Sequence, residues 1–266
     1  MKEEGLLMKM IYQYTKLEVL ALILKNKTIR FNNLCKVDDP LEKYLSTSNI
    51  NQNNNHIEKS RENFGAFCLV SCWTEYSDES IAMWDMYGDR KCGVRIGLPF
   101  TSPEELFEPL DNSFFSENKI RSRFAIPIDV FYPEYIKIDY SRSLTEDPYI
   151  IGKDSKDRVV WFKDLGQYKI PDWSFQKESR FRIFCGKDKE TDNDCFAVPG
   201  KTPSSIIASL DVPQNDHIDW KLKDDVFSNM EILAGPDMSA GDRILLDALV
   251  DYYKLPKIVN SKFTSE

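Results

Sequence analysis

Residues 65–74, with the sequence GAFCLVSCWT, constrain the fold of this chain more than any other segment. Almost every position is apolar or small, so the run lacks the polar alternation of a strand that has one face in water. A strand buried on both faces needs partners along its edges and packed layers above and below it. The segment therefore predicts a central strand in a sheet whose two faces are both covered.

The residues after this strand predict a helix and then a second strand. Ser77 or Asp78 can cap a helix over residues 78–87. In the following GVRIGLPF, apolar side chains alternate with other residues, as they do in a strand. We expect strands 66–73 and 92–98 to be adjacent in one mixed sheet, with this helix packed beside them.

Weaker patterns place elements along the rest of the chain. Apolar residues at helical spacing predict a first helix, where Thr15 forms a capping box with Glu18, and a last helix over 240–253. The asparagine-rich residues 45–63 predict a mobile polar loop at the surface. One face of the last helix gathers Ile244, Leu245, Ala248, Leu249 and Tyr252. The other predicted elements are strands at 10–15, 28–31, 204–210, 230–234 and 257–261, one or two strands within 124–141, a helix within 155–169, and a turn that becomes a strand over 172–186.

No internal repeat and no long linker divides the 266 residues, so we expect a single domain over residues 1–266. A chain of this length buries a sizeable core without disulfides or metals. The predicted fold class is α+β, with a mixed, mainly antiparallel sheet flanked by helices.

Charge and rare residues limit the kinds of site. A net charge of −8 argues against a surface that grips nucleic acid by bulk positive charge, although a local basic groove stays open. No two of the six cysteines have Cys-x-x-Cys spacing and only two histidines occur, so we expect no metal site. The sequence shows no signal peptide and no membrane-length apolar run. We therefore expect a cytoplasmic protein with reduced thiols and no membrane partner.

Five blocks of the chain are distinctive in their order and composition. They are YQY at 12–14, IRFNNLCKVDDPLE at 29–42, VSCWTEYSDESIAMWDMYGDRKCGVRIGL at 70–98, WSFQKESR at 173–180 and ILAGPDMSAGD at 232–242. Together they resemble the bacterial domain-of-unknown-function family numbered 2971, and the Met-Trp-x-x-Tyr block that begins at Met83 is the most specific of them. The resemblance spans nearly the whole chain, and Gln176 stands where that family usually has glutamate.

The Gln-x-Glu of residues 176–178 leads into a predicted strand and is similar to the catalytic turn of ADP-ribosyltransferases. This resemblance implies a fold like theirs and NAD as co-substrate. In those enzymes the glutamate hydrogen-bonds the nicotinamide ribose and stabilises the oxocarbenium-like state as nicotinamide leaves. Glu178 would take that role, and Gln176 would face the acceptor. In an extended segment both lie on one side together with Arg180.

The same resemblance implies side chains that hold the cofactor. It calls for a polar residue on the first strand, an aromatic ring that stacks on nicotinamide, and a serine or threonine on a central strand. The residues of those types are Tyr14, Trp84 or Tyr87, and Ser71. Arg30 has a planar guanidinium suited to a pyrophosphate oxygen. Arg180, beside Glu178, is the further residue that we expect to bind the cofactor.

Two classes of function follow. The first is an NAD-dependent ADP-ribosyltransferase-like toxin or anti-phage defence effector that modifies RNA or protein and has an antitoxin or chaperone partner. The second is a non-catalytic nucleotide- or partner-binding effector, or a nuclease, in abortive infection. The same residues also have structural interpretations, since Trp84 and Tyr87 one helical turn apart are typical of core packing. Likewise, Glu178 and Arg180 are typical of a surface ion pair.

Overall fold

The structure is a computed structural model that describes residues 9–39, 42–51, 56–110, 132–141, 165–187, 194–197, 212–213 and 216–264. The strand predicted at 204–210 lies outside these ranges, as does most of the helix predicted within 155–169. That residues 1–266 form one domain stays a prediction.

Strands dominate the described chain, and helices are few. In chain order the elements are β1 (Met10–Thr15), α1 (Leu17–Asn26), β2 (Thr28–Asn33), β3 (Tyr44–Asn51), β4 (His56–Asn63), β5 (Cys68–Thr74), α2 (Ile81–Tyr87), β6 (Val94–Pro99), α3 (Pro103–Leu106), β7 (Glu134–Lys137), β8 (Glu178–Lys187), β9 (Asp194–Ala197), β10 (His217–Lys221), β11 (Glu231–Ala234), α4 (Ala240–Tyr253) and β12 (Val259–Asn260). Short 3-10 helices lie at Leu34–Lys36, Gly65–Phe67, Pro171–Gln176 and Asp224–Asn229.

Within the described ranges, ten strands form one sheet in which β5 is central, as its apolar sequence predicts. The path of neighbours is β10-β2-β5-β1-β6-β11-β12, and β8 adds to β5 and carries β7 and β9. Among the described pairs of strands only β11 with β12 is parallel, and one isolated bridge, Asp139 with Tyr168, is parallel as well. The prediction of a mainly antiparallel sheet in an α+β protein is therefore confirmed. β5 and β6 share the sheet as expected, but β1 lies between them, and the prediction that they are adjacent is wrong. The physical reason is that both edges of β1 are available for pairing. Tyr12 pairs with Thr74 of β5 along one edge and with Gly97 of β6 along the other.

The sheet divides at β5. Along one edge, β8 pairs with all seven residues of β5. Along the other edge, β1 pairs at Thr74 while β2 pairs at Leu69 and Val70. Between these two pairings, the Gln13 side chain donates its Nε2 hydrogen to the carbonyl oxygen of Cys72 at 2.9 Å. This side chain satisfies a partly buried backbone group at a position between the two strand pairings. We call the division between β1 and β2 the fork.

The two faces of the sheet differ in chemistry. One face carries the main apolar core, onto which α1 and α4 pack. Core residues from the sheet include Ile11, Phe31, Leu69, Ile96, Phe181 and Trp220. On the other face, paired positions of β5 and β8 present Cys72 and Arg180. Because side chains alternate along a strand, the same strands supply an apolar core on one side and polar groups on the other.

Several local predictions need correction. The residue at the start of α1 is Lys16, which makes no side-chain cap, so the capping box of Thr15 is wrong. Thr15 instead ends β1, where it pairs with Val94. The cap of α2 is Ser80, whose hydroxyl accepts from the Met83 amide, and not Ser77 or Asp78.

Two larger segments also differ from expectation. Residues 45–51 and 56–63 do not form the predicted loop, because β3 and β4 are antiparallel strands that pair over eight residues, from Tyr44 with Asn63 to Asn51 with His56. Residues 52–55 lie outside the described ranges. In α4 the buried side chains are Leu246 and Val250. Of the stripe predicted from Ile244 to Tyr252, Leu249 packs partly against the core, while Ile244, Leu245 and Tyr252 are exposed. Across the described ranges no helix is both long enough and apolar enough to cross a bilayer.

Candidate functional site

A cavity of about 280 Å³ lies at the fork on the polar face of the sheet. Its walls come from β1, from residues 36–38, from α2, from β5 and from the segment 169–180 that ends in β8. Tyrosine rings, methionine and charged groups share these walls. The fork places the cavity here, because the diverging strands leave the polar face of β5 open beside Cys72.

Helix α2 contributes one wall through a buried anchor. Trp84 has no exposed surface, meets the ring of Tyr14 edge-on at 4.8 Å, and donates its indole hydrogen to Glu79 at 2.8 Å. The Tyr14 hydroxyl accepts from the amide of Ser80, the residue that caps α2, at 3.1 Å. These contacts fix the helix, so Tyr87, one turn after Trp84, reaches the cavity.

A cluster of four charged side chains lies at the end of the cavity near β8. Arg180 and Lys169 supply the positive charges and Glu178 and Glu42 the negative ones, and all four side chains are nearly or fully buried. Lys169 donates from Nζ to Glu178 at 2.6 Å and lies 3.2 Å from Glu42. Arg180 donates from Nε to Glu178 and pairs through Nη1 with Glu42. The charges therefore balance, which is what allows such groups to be buried.

The two carboxylates of this cluster have opposite pKa shifts. Burial raises the pKa of Glu178, but Arg180 and Lys169 lower it more, so that it lies at about 2. Burial also raises the pKa of Glu42, and Arg180 and Lys169 offset this only in part. Glu178 is thus an anion at neutral pH, and its negative charge is fixed in position by two cations.

A chain of hydrogen bonds connects the cluster to the mouth of the cavity. Lys169 donates to the Gln176 side-chain oxygen at 2.6 Å, and the Gln176 amide donates to the Tyr87 hydroxyl at 2.7 Å. Tyr87 in turn donates to Asp38 at 2.7 Å. Burial and the neighbouring Asp38 carboxylate raise the pKa of Tyr87, so its phenol stays protonated as the donor of this chain.

Three polar atoms of the cluster make no hydrogen bond among the described residues. The two Glu42 oxygens still have ion-pair partners, but Arg180 Nη2 has neither kind of contact. Arg180 is fully buried and lines the cavity, and its Nη2 makes no hydrogen bond within the part of the chain that the structure describes. The other guanidinium nitrogens bond Glu178, Glu42 and the Gly166 carbonyl. An unpaired buried donor is costly, on the order of 1–3 kcal/mol, and an acceptor group on a ligand would satisfy it.

The structure brings together five of the eight residues that the sequence singles out. Tyr14, Tyr87, Gln176, Glu178 and Arg180 all line the cavity. The remaining three do not, and each has a different partner.

Trp84 lies behind the wall and not on it, as the core-packing interpretation had it. Ser71 is buried and accepts from the Trp73 indole at 3.0 Å; the cavity is lined by its neighbour Cys72, whose side chain points to the opposite face. Arg30 lies on β2, the strand that diverges from β1 at the fork. Its side chain is 51% exposed and makes two bonds to Asp219, at 2.7 and 2.8 Å.

Sequence reasoning missed the partners of Glu178. Lys169 lies in a segment predicted as helix, and no local pattern connects it with the Gln-x-Glu turn. Glu42 is the last residue of the block 29–42, so its place in that block was the one available signal. Tyr12 and Cys72 also line the cavity, and strand alternation from Tyr14 could have identified Tyr12.

Compared with protein-family models, with curated proteins and with solved structures, the chain has no match in any of the three. The family resemblance drawn from the sequence therefore stays a prediction. Among the residues described, no three His, Cys, Asp or Glu side chains are grouped so that they could hold a metal ion.

Proposed function

We propose that the cavity binds the nicotinamide ribose end of NAD and that the protein, with an ADP-ribosyltransferase-like fold, transfers ADP-ribose to a macromolecular acceptor, RNA or protein. The observation that carries the proposal is the fixed, ionised carboxylate of Glu178 on the wall of a cavity that Tyr14 and Tyr87 also line. A preorganised charge of this kind stabilises a transition state without reorganisation during the reaction.

The proposed step breaks the bond between the anomeric carbon and the nicotinamide nitrogen, and the electron pair leaves with nicotinamide. Positive charge develops on the sugar, and Glu178 lies where a negative charge can stabilise it. An oxygen or nitrogen of the acceptor then bonds to the anomeric carbon and loses its proton to solvent water. Gln176, which is hydrogen-bonded to Tyr87 beside Glu178, is proposed to face that acceptor.

The size of the cavity supports binding of part of a dinucleotide. At about 280 Å³ it lies near the lower end of ligand sites, which span roughly 300–1,000 Å³. We infer that one ring and its sugar enter, while the rest of NAD lies outside. The unpartnered Nη2 of Arg180 offers this end of the ligand a hydrogen bond.

The biological setting is proposed from the sequence resemblance. It is that of a toxin or anti-phage defence effector in the cytoplasm, restrained by an antitoxin or chaperone. The cysteines whose state the structure describes, which are Cys35, Cys68, Cys72, Cys92 and Cys185, are free thiols. Free thiols are usual in a reducing compartment.

The test is release of nicotinamide from NAD by the purified protein, with and without total RNA or cell lysate. Glu178→Gln is expected to lower the rate by about a hundredfold, as loss of one electrostatic group does. Glu134→Gln is the matched control. Glu134 lies on β7 and pairs at 2.7 Å with Arg182 of β8, the strand that also carries Glu178, but Glu134 does not line the cavity. Both variants are assayed at a temperature where each is folded. Full activity of Glu178→Gln would overturn the proposal.

A second candidate is a nucleotide-binding effector without catalysis. It is favoured by one observation, that both oxygens of Glu178 already accept from cations, Oε2 from Lys169 and Oε1 from Arg180. Saturable NAD binding without nicotinamide release, lost on replacement of Tyr14 or Tyr87 by alanine, would support this candidate.

A further inference from the structure

A second concave surface lies between α1 and α4, and none of its described lining residues also lines the cavity that holds Glu178. This groove has a volume of about 630 Å³. Its apolar lining consists of Leu17, Ala21, Leu245, Ala248, Leu249 and Tyr252. Leu245 is 58% exposed and Tyr252 is 78% exposed, so large apolar side chains of the groove face solvent.

The apolar residues that α4 gives to the groove have the spacing of one helical face. They stand at positions i, i+3, i+4 and i+7 counted from Leu245. The protein core uses this face only in part, because the buried residues of α4 are Leu246 and Val250, and Leu249 is only partly buried against the core. The helix therefore carries a second apolar stripe, in which Leu245 and Tyr252 stay exposed after α4 has packed on the sheet. An exposed apolar surface of this kind marks an interaction site.

The rim of the groove is acidic. Glu18, Asp89 and Asp242 line it. Lys16 is the one lysine among its described lining residues, and its Nζ lies 3.8 Å from the Glu18 carboxylate. The thiol of Cys92, which also lines the groove, responds to this field. Burial raises its pKa, and the negative charges of Asp237, Asp89 and Asp242 raise it further.

We propose that this groove binds an amphipathic helix of another protein, whose apolar side chains at i, i+3, i+4 and i+7 enter the groove while its lysine or arginine side chains lie beside the acidic rim. Helices dock in hydrophobic grooves with this spacing of anchors. Charge selects the occupant, since a second copy of this chain would bring the same carboxylates to face Glu18, Asp89 and Asp242 and would be repelled. The proposal is independent of the function assigned to the Glu178 cavity.

The experiment uses the full chain and synthetic peptides of about 18 residues, a helix of about 27 Å. The probe peptide has leucine at the anchor positions i, i+3, i+4 and i+7, repeated along one helical face, and lysine at the other positions. One comparison peptide replaces lysine with glutamate, and another keeps the composition but scrambles the leucine spacing. Fluorescence anisotropy is expected to show saturable binding of the leucine–lysine peptide, at least about tenfold tighter than of either comparison peptide.

Two pairs of variants test the location. Leu245→Asp is expected to weaken binding by at least about tenfold, whereas Ile244→Asp is expected to leave it unchanged. Ile244 is the adjacent residue and is 68% exposed, but it does not line the groove. The two changes add the same charge, so a difference in peptide affinity between the two variants shows that the peptide binds in the groove. Glu18→Lys is expected to weaken binding, and Glu105→Lys, at an exposed position of α3, is not.

Four results would overturn the proposal. The first is no saturable binding of the leucine–lysine peptide, and the second is equal binding of the scrambled peptide. The third is a dimer in sedimentation that Leu245→Asp dissociates, which would make a second copy the occupant. The fourth is a much larger fall in melting temperature for Leu245→Asp than for Ile244→Asp. Such a difference would mean that Leu245 packs against the protein itself and is not free to bind a partner.

Discussion

Replacement of Glu178 by glutamine tests how the buried charge cluster contributes to stability. The change removes a negative charge and leaves Lys169 and Arg180 with Glu42 alone, so one positive charge loses its partner. Breaking a buried ion pair from one side typically costs about 3–5 kcal/mol. The structure gives a second estimate, because the pKa of Glu178 lies at about 2 against an ordinary value of 4.5. At about 1.4 kcal/mol for each pH unit, this difference is worth about 3 kcal/mol of folding free energy at neutral pH.

The assay is urea denaturation and thermal melting at pH 7, followed by a pH series. A loss of about 3 kcal/mol is expected to lower the melting temperature by about 6–12 °C in a chain of this size. Because the pKa of Glu178 is lowered in the folded state, its contribution is complete above the unfolded pKa of 4.5 and is lost as pH falls toward 2. The wild-type protein is therefore expected to lose more stability than Glu178→Gln over that interval.

Glu42→Gln is the matched control, because Glu42 contacts the same two cations and is equally buried. Its pKa is raised and not lowered, so the folded state favours its ionised form less, and the change is expected to cost less than Glu178→Gln. An unchanged melting temperature for Glu178→Gln, or equal losses for the two variants, would refute the reasoning from the cluster.

Three further predictions test the surroundings of the site. Gln13→Leu removes the donor that bonds the Cys72 carbonyl at the fork, and it is expected to lower the free energy of unfolding by about 1–3 kcal/mol in urea denaturation; no change would mean that the fork does not need this bond. Trp84→Phe removes the hydrogen bond to Glu79 while keeping an aromatic ring beside Tyr14. We expect the free energy of unfolding, measured by thermal melting, to fall by about 1–3 kcal/mol, and NAD affinity to change only if Tyr87 moves. Arg30→Gln breaks an exposed pair with Asp219 and is expected to cost at most about 1 kcal/mol and to leave nicotinamide release unchanged; a large loss of activity would return Arg30 to the site.

Patterns local to the sequence determined much of the secondary structure. The apolar run at residues 65–74 gave the central strand β5, and alternation gave β6 with Val94, Ile96 and Leu98 fully buried. The last helix was predicted over 240–253, the range that the structure shows. These features succeed because helix and strand periodicity is imposed by backbone geometry within a few residues.

The candidate site was determined in part. The Gln-x-Glu turn placed Gln176 and Glu178 together because they are two residues apart at the start of a strand, and the structure keeps them on one cavity. The sequence could not assign Lys169 and Glu42 to Glu178, since ion pairs across a fold depend on which segments meet. It also could not separate Trp84 from Tyr87, because both belong to the same helical face.

Tertiary structure alone decided the order of the strands and the use of each apolar face. The apolar pattern of β1 does not say which strands are its neighbours. In the folded protein β1 pairs with both β5 and β6, and so it lies between them. The fork follows from β1 and β2 meeting one edge of β5, a contact that no local pattern encodes. In α4 both stripes are apolar, and the sheet packs on Leu246 and Val250 because only one side of a helix can face the core, leaving Leu245 and Tyr252 in solvent.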